Sequence, residues 1–385
     1  MTPDERGREL AAMTALVHEC GPATQKSRQP NREVVTALAR AGLMRLVVPE
    51  TLGGHGIDLV EFMAFGERLA IEHGSTAWVA TTCNEEAGIA AAYLPAATIA
   101  AMYDREPDVV IAGSGIPRGR ASRVDGGWSI TGRWTFVSGC TAADKIVLAN
   151  VVSKPREQRT ADVELCFVLV NRDDVTIDDT WDTLGMRGTG SHDVVLDDMY
   201  VPDMWAGVVA NKAFPLPDTP FYRLPSGLRF PWPKVGIAAG VARAALSEFH
   251  DLAGSKQPIN MKGQLRDRPH AQTSAAQAEA LISTGVAWAR ELATEVWAEA
   301  TADRPVSPEL HARSRLACST SVQQSIRAIE LLSSAAGSTA NTSASPFGVL
   351  LADARAVAAH FMVAPYQVDT AGRVLLGLNA GDQSF

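Results

Sequence analysis

The sequence lacks several features that would assign it to common classes of protein. Its 385 residues include only five cysteines with no C-x-x-C pair, and no apolar stretch is long enough to span a membrane. The net charge of −8 and the lack of a basic run argue against nucleic acid or an acidic membrane surface as a partner. The charged N-terminus has no apolar core of a secretory signal. We therefore expect a cytoplasmic protein with reduced thiols and neither a membrane nor a nucleic-acid partner.

Motifs for metal binding, hydrolysis and dinucleotide binding are also missing. No H-E-x-x-H or comparable spacing links the histidines, so no metal site is predicted. No G-x-S-x-G elbow supports a hydrolase. The glycines of IAGSGIPRG, residues 111–119, miss the G-x-G-x-x-G spacing, and no strand–helix–strand unit surrounds them. The sequence therefore argues against a Rossmann fold and against metal-dependent chemistry.

What is present divides the chain into three regions. Apolar residues recur at helical spacing in residues 1–107, whereas residues 108–220 hold short alternating runs separated by Gly, Asp and Pro. Residues 221–385 return to four long helical segments with short links. The prediction is an N-terminal helical domain, a central antiparallel β barrel or sandwich, and a C-terminal four-helix bundle.

The stretch GRWTFVSG, residues 132–139, is the first candidate for chemistry. On a strand its period of two places Trp134, Phe136 and Ser138 on one face. An aromatic ring and a hydroxyl on one face suit contact with a flat, partly polar ring. For Trp134 we favour the alternative interpretation, an ordinary core residue.

The stretch TWDTLGMRGTGSHDVVLDDMYVP, residues 180–202, contains a knot of small polar residues, MRGTGS, at 186–191. Gly188 and Gly190 permit unusual dihedral angles and close backbone approach. The stretch either forms a binding loop or simply turns the chain between two strands.

A third stretch, DARAVAAH, places Asp353, Val357 and His360 at i, i+4 and i+7, which predicts one shared helical face. A histidine in so apolar a helix is more often a core residue than a functional one.

The order of these stretches resembles the acyl-CoA dehydrogenase fold, and within it the oxygenase components of two-component flavin monooxygenases. The resemblance covers nearly the whole chain and is carried by LVVPETLGGHGIDL, IAGSGIPRGRASRVDGGWSITGRWTFVSG, LGMRGTGSHDVVLDDMYVP and ADARAVAAH. It implies that reduced flavin, FMNH₂ or FADH₂, reacts with O₂ to form a C4a-hydroperoxyflavin. This species would hydroxylate or N-oxygenate a small organic substrate, aromatic or natural-product in character. The resemblance also implies a separate NAD(P)H:flavin reductase and a homotetramer.

The resemblance further implies roles for individual residues. The implied catalytic residues are His360, at the reactive edge of the flavin, and Ser138, at flavin N5. The implied flavin contacts are Ser114, Phe136, Ser138 and Thr189. The implied substrate contacts are Asn84 and Glu86. Adjacent helical residues point about 100° apart, so at most one of Glu85 and Glu86 is expected to face a cavity, and both could instead be solvated.

The C-terminal region decides between branches of this superfamily. Common acyl-CoA dehydrogenases carry a carboxylate base here, whereas residues 358–367 read AAHFMVAPYQ and contain no Asp or Glu. Two alternatives stay open. One is a dehydrogenase with a relocated base, marked by bound FAD that a thioester bleaches. The other is a catalytically silent scaffold that binds no flavin.

Overall fold

The structure is a computed structural model, and it describes residues 1–154, 163–209, 216–259 and 262–381. Within these ranges the helices are α1 Pro3–Ser27, α2 Arg32–Arg40, α3 Leu59–Glu72, α4 Gly74–Tyr93, α5 Ala96–Arg105, α6 Pro220–Arg223, α7 Ser226–Arg229, α8 Pro231–Ser255, α9 Pro269–Thr301, α10 Pro308–Ala336, α11 Phe347–Ala358 and α12 Gln367–Leu375. No helix in this part of the chain is both long enough and apolar enough to cross a bilayer. The predicted order of helices, then strands, then helices is confirmed.

Seven strands form one sheet. They are β1 Ile111–Val124, β2 Gly127–Val137, β3 Lys145–Val152, β4 Leu165–Asn171, β5 Thr176–Asp178, β6 His192–Pro202 and β7 Ala206–Val209. Their order across the sheet is β5-β6-β2-β1-β3-β4-β7. All described pairings are antiparallel, as predicted, except that β1 and β3 run parallel. β1 and β2 form a hairpin, and β3 pairs with the other edge of β1. At that edge β3 runs in the same direction as β1.

The described residues fold into two compact units, and the chain passes between them several times, once inside α4. The first unit contains the sheet and comprises Met1–Ile57, Val79–Asp182 and Arg187–Arg223. A side-chain cap begins α2 in this unit: the Asn31 carboxamide accepts a hydrogen bond from the Val34 N–H. The predicted three-domain division, with boundaries near residues 107 and 220, stays a prediction.

The second unit is helical and comprises Asp58–Trp78, Thr183–Met186 and Leu224–Phe385 as far as it is described. Its long helices α8, α9 and α10 pack on one another, and α3 packs on α8. Gly236 and Gly240 of α8 make that approach close, because a Cβ at either position would collide with a backbone carbonyl of α3, that of Met63 or Glu67. The core of this unit therefore forms around α8.

The last predicted helix is shorter than expected. The spacing of DARAVAAH predicts helix through His360, but α11 ends at Ala358, and His360 lies in the turn beyond it. At this point the backbone hydrogen bonds change from the i to i−4 spacing of an α-helix to i to i−3 spacing. The His360 N–H donates to the Val357 carbonyl at 3.0 Å. The expected shared helical face therefore includes Asp353 and Val357 but not His360.

Candidate functional site

Three buried hydroxyls connect the end of β2 to the glycine-rich knot. The Oγ atoms of Ser138 and Ser191 are 2.8 Å apart, and the Ser191 Oγ lies 2.7 Å from Thr189 Oγ1. The Gly139 N–H donates to the Thr189 carbonyl at 2.9 Å, so backbone and side chains are fixed together. The knot is thus a structured element joined to Ser138, which a plain strand turn would not require.

Phe136 stands out beside this hydroxyl chain. Its φ is +61°, in the left-handed region that non-glycine residues rarely occupy, and its ring is 66% exposed. The ring lies edge-on to Trp181, with centroids 6.0 Å apart. An exposed aromatic ring on strained backbone is costly unless it is used, which makes Phe136 a candidate for ligand contact.

The strand alternation predicted for residues 132–139 is wrong at this point. The register of β2 against β6 shifts between Trp134 and Val137, and the left-handed Phe136 lies in that shift. Trp134 is fully buried, and its Nε1–H donates to the Ala149 carbonyl at 2.8 Å. Trp134 is therefore the core residue that we favoured, and it does not share a face with Phe136.

Arg28 binds the chain ahead of the knot, and Pro30 lies close to the knot itself. The Arg28 guanidinium donates to the Trp181 carbonyl at 2.8 Å and pairs with the Asp179 carboxylate at 2.9 Å. Gly190 has φ +52°, and a Cβ there would lie 2.9 Å from Pro30 Cδ. Only glycine combines this dihedral angle with so close an approach.

The first strand brings Ser114 and Glu86 into the same region of the first unit. Ser114 is buried on β1, and a Cβ built on the neighbouring Gly113 would lie 2.7 Å from Glu86 Oε2. Glu85 and Glu86 are both buried, with 7% of each exposed. The alternative that both carboxylates are solvated is therefore wrong.

Asn84 uses its side chain within the protein. Its Oδ1 accepts from the Leu46 N–H at 2.6 Å, and its Nδ2 donates to the carbonyls of Leu43 and Ala80 at 2.9 and 2.8 Å. The amide therefore binds the segment after α2 to α4, and these three bonds occupy both ends of the side chain.

In the second unit His360 lies among aromatic rings. Its ring is edge-on to Trp78, with centroids 5.5 Å apart, and tilted against Phe361 at 4.7 Å. Burial, with a smaller contribution from the Lys234 ammonium, lowers the pKa of His360 to about 3. The Met362 N–H donates to Nδ1 at 3.4 Å. A neutral imidazole that accepts at Nδ1 carries its proton on Nε2.

Asp353, on α11 of the same unit, anchors Met186, the first residue of the knot. Its carboxylate accepts a 2.6 Å hydrogen bond from the Met186 N–H, and a Cβ on Gly185 would collide with the Ala352 carbonyl. Burial raises the pKa of Asp353 to about 7, although the hydrogen bond from Met186 acts in the opposite direction.

The chemistry of the first unit fits a flat heteroaromatic cofactor. Phe136 offers an exposed apolar ring, and the Ser138 hydroxyl belongs to a chain that can accept or donate a hydrogen bond. Among the described residues, no three His, Cys, Asp or Glu side chains are grouped as metal ligands. The arrangement therefore suits a ring such as isoalloxazine, held by stacking and hydrogen bonds.

Sequence reasoning missed Trp78, Trp181 and Lys234. The ammonium of Lys234, a residue only 1% exposed, lies 5.6 Å from the centre of the Trp78 ring. One signal was present: Lys234 is the only charged residue in the apolar run from residue 230 to 242. Nothing in the local pattern links Trp181 to Phe136, because their contact depends on the fold of the loop before the knot.

Comparisons with known proteins agree with the fold. The N-terminal domain family of acyl-CoA dehydrogenases matches residues 10–94, and the C-terminal domain family matches residues 234–365. Indole-3-acetate monooxygenase of Pseudomonas putida is 33% identical over 353 residues, which are 91% of this chain and 88% of the relative. The oxygenase component of the FADH₂-dependent resorcinol hydroxylase of a Rhizobium species is 27% identical over 97% of this chain and 94% of the relative.

A solved structure extends the likeness to three dimensions. The 3-HSA hydroxylase from Rhodococcus sp. RHA1 superposes with a TM-score of 0.87 and 27% identity, and the match covers 99% of each chain. The chain therefore belongs to the acyl-CoA dehydrogenase family, in its branch of flavin-dependent monooxygenase oxygenase components.

Proposed function

We propose that this oxygenase receives reduced flavin from a separate NAD(P)H:flavin reductase and hydroxylates a small aromatic compound that carries an N–H or O–H group. The observation that supports this proposal most directly is the position of Phe136. Its exposed ring stands on left-handed backbone beside the buried hydroxyls of Ser138, Ser191 and Thr189. Bound reduced flavin would supply the activation of dioxygen. The chain's own residues bind and orient that flavin and keep water from it.

Phe136 and Ser138 would hold the flavin ring. The Phe136 ring would stack on or against the isoalloxazine, which offsets the cost of its strained backbone. The Ser138 hydroxyl would form a hydrogen bond with flavin N5. Thr189 and Ser114 complete the proposed set of flavin contacts, Thr189 through the knot and Ser114 through β1.

His360 would act as a neutral hydrogen-bond donor. Its pKa near 3 leaves almost no imidazolium at neutral pH, so proton donation from a charged ring is not its role. With Nδ1 accepting from the Met362 N–H, the available proton is on Nε2. The Nε2–H would donate a hydrogen bond to the oxygen atom that is transferred and would stabilise the negative charge that develops on it.

Glu86 is the substrate contact that we retain. Its buried carboxylate can accept a hydrogen bond from a phenol O–H or an indole N–H. The indole-3-acetate monooxygenase relative favours an indole-type substrate for this chain. Asn84, which the resemblance implied as a substrate contact, is left out of this set because its amide bonds to three backbone groups.

Binding of flavin in its two redox states tests the proposal. We expect photoreduced FMN or FAD to bind more tightly than the oxidised form, and the reduced complex to consume O₂ when mixed with it. Equal affinity for both states would contradict a diffusible reduced cofactor. Bleaching of bound oxidised flavin by an acyl thioester would support the dehydrogenase alternative, and no binding of either state would support the silent scaffold.

A further inference from the structure

We infer that His192 is a positioning residue of the flavin site: the lone pair on its Nδ1 holds the backbone of Trp181, and Trp181 in turn supports the ring of Phe136. The inference rests on the proposed function, because it takes Phe136 as a flavin contact. His192 is not among the proposed flavin or substrate contacts. It is only 1% exposed, so its effect on a ligand must pass through the residues around it.

The imidazole of His192 receives two backbone hydrogen bonds from the segment ahead of the knot. The N–H groups of Thr180 and Trp181 both donate to Nδ1, each over 3.2 Å. A backbone N–H can only donate, so Nδ1 carries a lone pair and the proton of the neutral ring is on Nε2. Among the described residues Nε2 has no hydrogen-bond partner. Within this part of the chain, the ring therefore acts through Nδ1.

The surroundings of His192 favour the neutral imidazole. The Asp179 carboxylate lies 3.4 Å from Nδ1, Asp193 follows His192 on β6, and the Arg28 guanidinium pairs with Asp179. Burial is the largest effect and lowers the pKa of His192, while the Asp179 and Asp193 carboxylates oppose it and Arg28 reinforces it. A neutral ring keeps the lone pair that both N–H groups need.

Both backbone polar groups of Trp181 are held by side chains. Its N–H donates to His192 Nδ1, and its carbonyl accepts from Arg28 at 2.8 Å. Two fixed backbone groups on one residue set the direction in which its side chain leaves the chain. The Trp181 ring lies edge-on to Phe136, with 6.0 Å between centroids and 88° between the ring planes. This is a favourable geometry for an aromatic pair, so Trp181 restrains the exposed ring that we assign to the flavin.

The proposed role requires an acceptor at one position, and two variants of His192 differ in that position. Asparagine places Oδ1 close to where histidine places Nδ1, whereas glutamine carries its amide farther out, near the position of Nε2. His192→Asn should therefore keep the bonds to Thr180 and Trp181, and His192→Gln should lose them. A residue that only fills space predicts the opposite order, because asparagine is the smaller side chain and leaves the larger cavity.

The test compares five variants: His192→Asn, His192→Gln, Trp181→Ala, the double variant Trp181→Ala/His192→Gln, and His55→Gln as a matched control. His55 is another histidine of the first unit, and its Nε2 donates to the Gly42 carbonyl at 3.1 Å. Dissociation constants for photoreduced and oxidised FMN are measured anaerobically, with FAD in parallel. Amide hydrogen exchange in the flavin-free protein follows the peptide that contains Thr180 and Trp181, and a melting curve reports folding.

We expect His192→Gln to weaken flavin binding about 3- to 10-fold in both redox states and to speed exchange in that peptide. His192→Asn should bind within about 2-fold of wild type, because it keeps the acceptor. Trp181→Ala should weaken binding at least as much as His192→Gln. The double variant should bind like Trp181→Ala alone, because His192 acts through Trp181. His55→Gln should leave binding and exchange unchanged.

Weaker binding in His192→Asn than in His192→Gln would overturn the inference, because it would show that the ring only fills space. Additive effects in the double variant, or faster exchange in His192→Gln with wild-type flavin binding, would overturn it as well. If Trp181→Ala and Phe136→Ala both bind flavin like wild type, the proposed Phe136 contact falls too, which separates the two failures. Should His192→Gln fail to fold, the inference requires that His192→Asn keep its affinity and that Trp181→Ala lose it.

Discussion

The Asp353 carboxylate accepts a 2.6 Å hydrogen bond from the backbone N–H of Met186, which lies 167 residues earlier in the chain. Met186 has φ +53°, so this bond holds a residue in a conformation that is locally unfavourable. Met186 is also the last residue before Arg187–Ser191, the segment that carries Thr189 and Ser191. A single buried side chain of α11 therefore fixes the chain where it enters the knot.

Replacing Asp353 by Asn should make the protein less sensitive to pH. The native pKa of about 7 lies above the unfolded value, so ionisation costs more in the folded state. The contribution to the free energy of unfolding is full below about pH 4 and is lost as the pH rises through 7. The stability difference between D353N and wild type should therefore grow by roughly 4 kcal/mol from pH 4 to pH 8, as measured by urea unfolding.

Asp353→Leu is the matched variant for this experiment. It removes both the titrating group and the side-chain acceptor of the Met186 N–H. We expect a loss of about 1–3 kcal/mol relative to D353N at every pH. Equal stability of the Asn and Leu variants would show that the hydrogen bond to Met186 contributes nothing.

His360→Ala should uncouple flavin oxidation from substrate oxygenation. Loss of the Nε2–H donor and entry of water should divert reduced flavin and O₂ to hydrogen peroxide, with a change in partitioning of roughly 10- to 150-fold. Peroxide and product per flavin oxidised are measured beside a melting curve. A folded variant with an unchanged coupling ratio would make His360 a core residue only.

The pH dependence of stability gives an independent check on His360. Its native pKa of about 3 lies below the unfolded value, so its contribution is present above about pH 6.5 and is lost as the pH falls toward 3. His360→Gln should remove this loss, and the stability gap between variant and wild type should shift in favour of the variant on acidification. A gap that does not change between pH 7 and pH 4 would mean that His360 is not held neutral by the fold.

Phe136→Gly should stabilise the fold and weaken flavin binding. Glycine adopts φ +61° without steric strain, and the lost ring is mostly exposed. Phe136→Ala is the control, because it loses the ring but keeps the strain. We expect F136G to be about 1 kcal/mol more stable than F136A, and both to bind reduced flavin more weakly than wild type. Wild-type flavin affinity in both variants would remove Phe136 from the site.

The 40.9 kDa chain should assemble into a homotetramer, or at least a dimer. Large apolar side chains stay exposed near the C-terminus, Leu376 at 81% and Leu378 at 54%, and clusters of this kind often mark subunit contacts. Light scattering should give a mass of two or four chains, and Leu376→Glu should lower it if this cluster lies in the interface. A monomer mass under all conditions would contradict the prediction.

The fold could be read from the sequence because its signals are local. Helical spacing, alternating runs and turn residues predicted helices, then a sheet, then a bundle, and the order of four motifs identified the superfamily. The parallel pairing of β1 and β3 could not be predicted, because it depends on where the chain returns after β2 and not on any local pattern.

The geometry of the candidate site was harder to predict from the sequence than the fold, for a physical reason. Period-two alternation assumes extended backbone, and Phe136 breaks it with a left-handed residue that brings its ring to the surface. Similarly, three-residue hydrogen bonding ends α11 before His360. The link from Ser138 through Ser191 to Thr189 joins positions 53 and 2 residues apart, which only the folded chain brings together.

The most direct test of the proposed reaction follows the oxygen atom. The protein is mixed with photoreduced FMN or FAD, ¹⁸O₂ and a panel of small aromatic compounds that includes indole-3-acetate, and products are analysed by mass spectrometry. We predict a product that contains one ¹⁸O atom, formed without any added reductase when reduced flavin is supplied. Consumption of reduced flavin with no labelled product from any compound, or with oxygen derived from water, would contradict it.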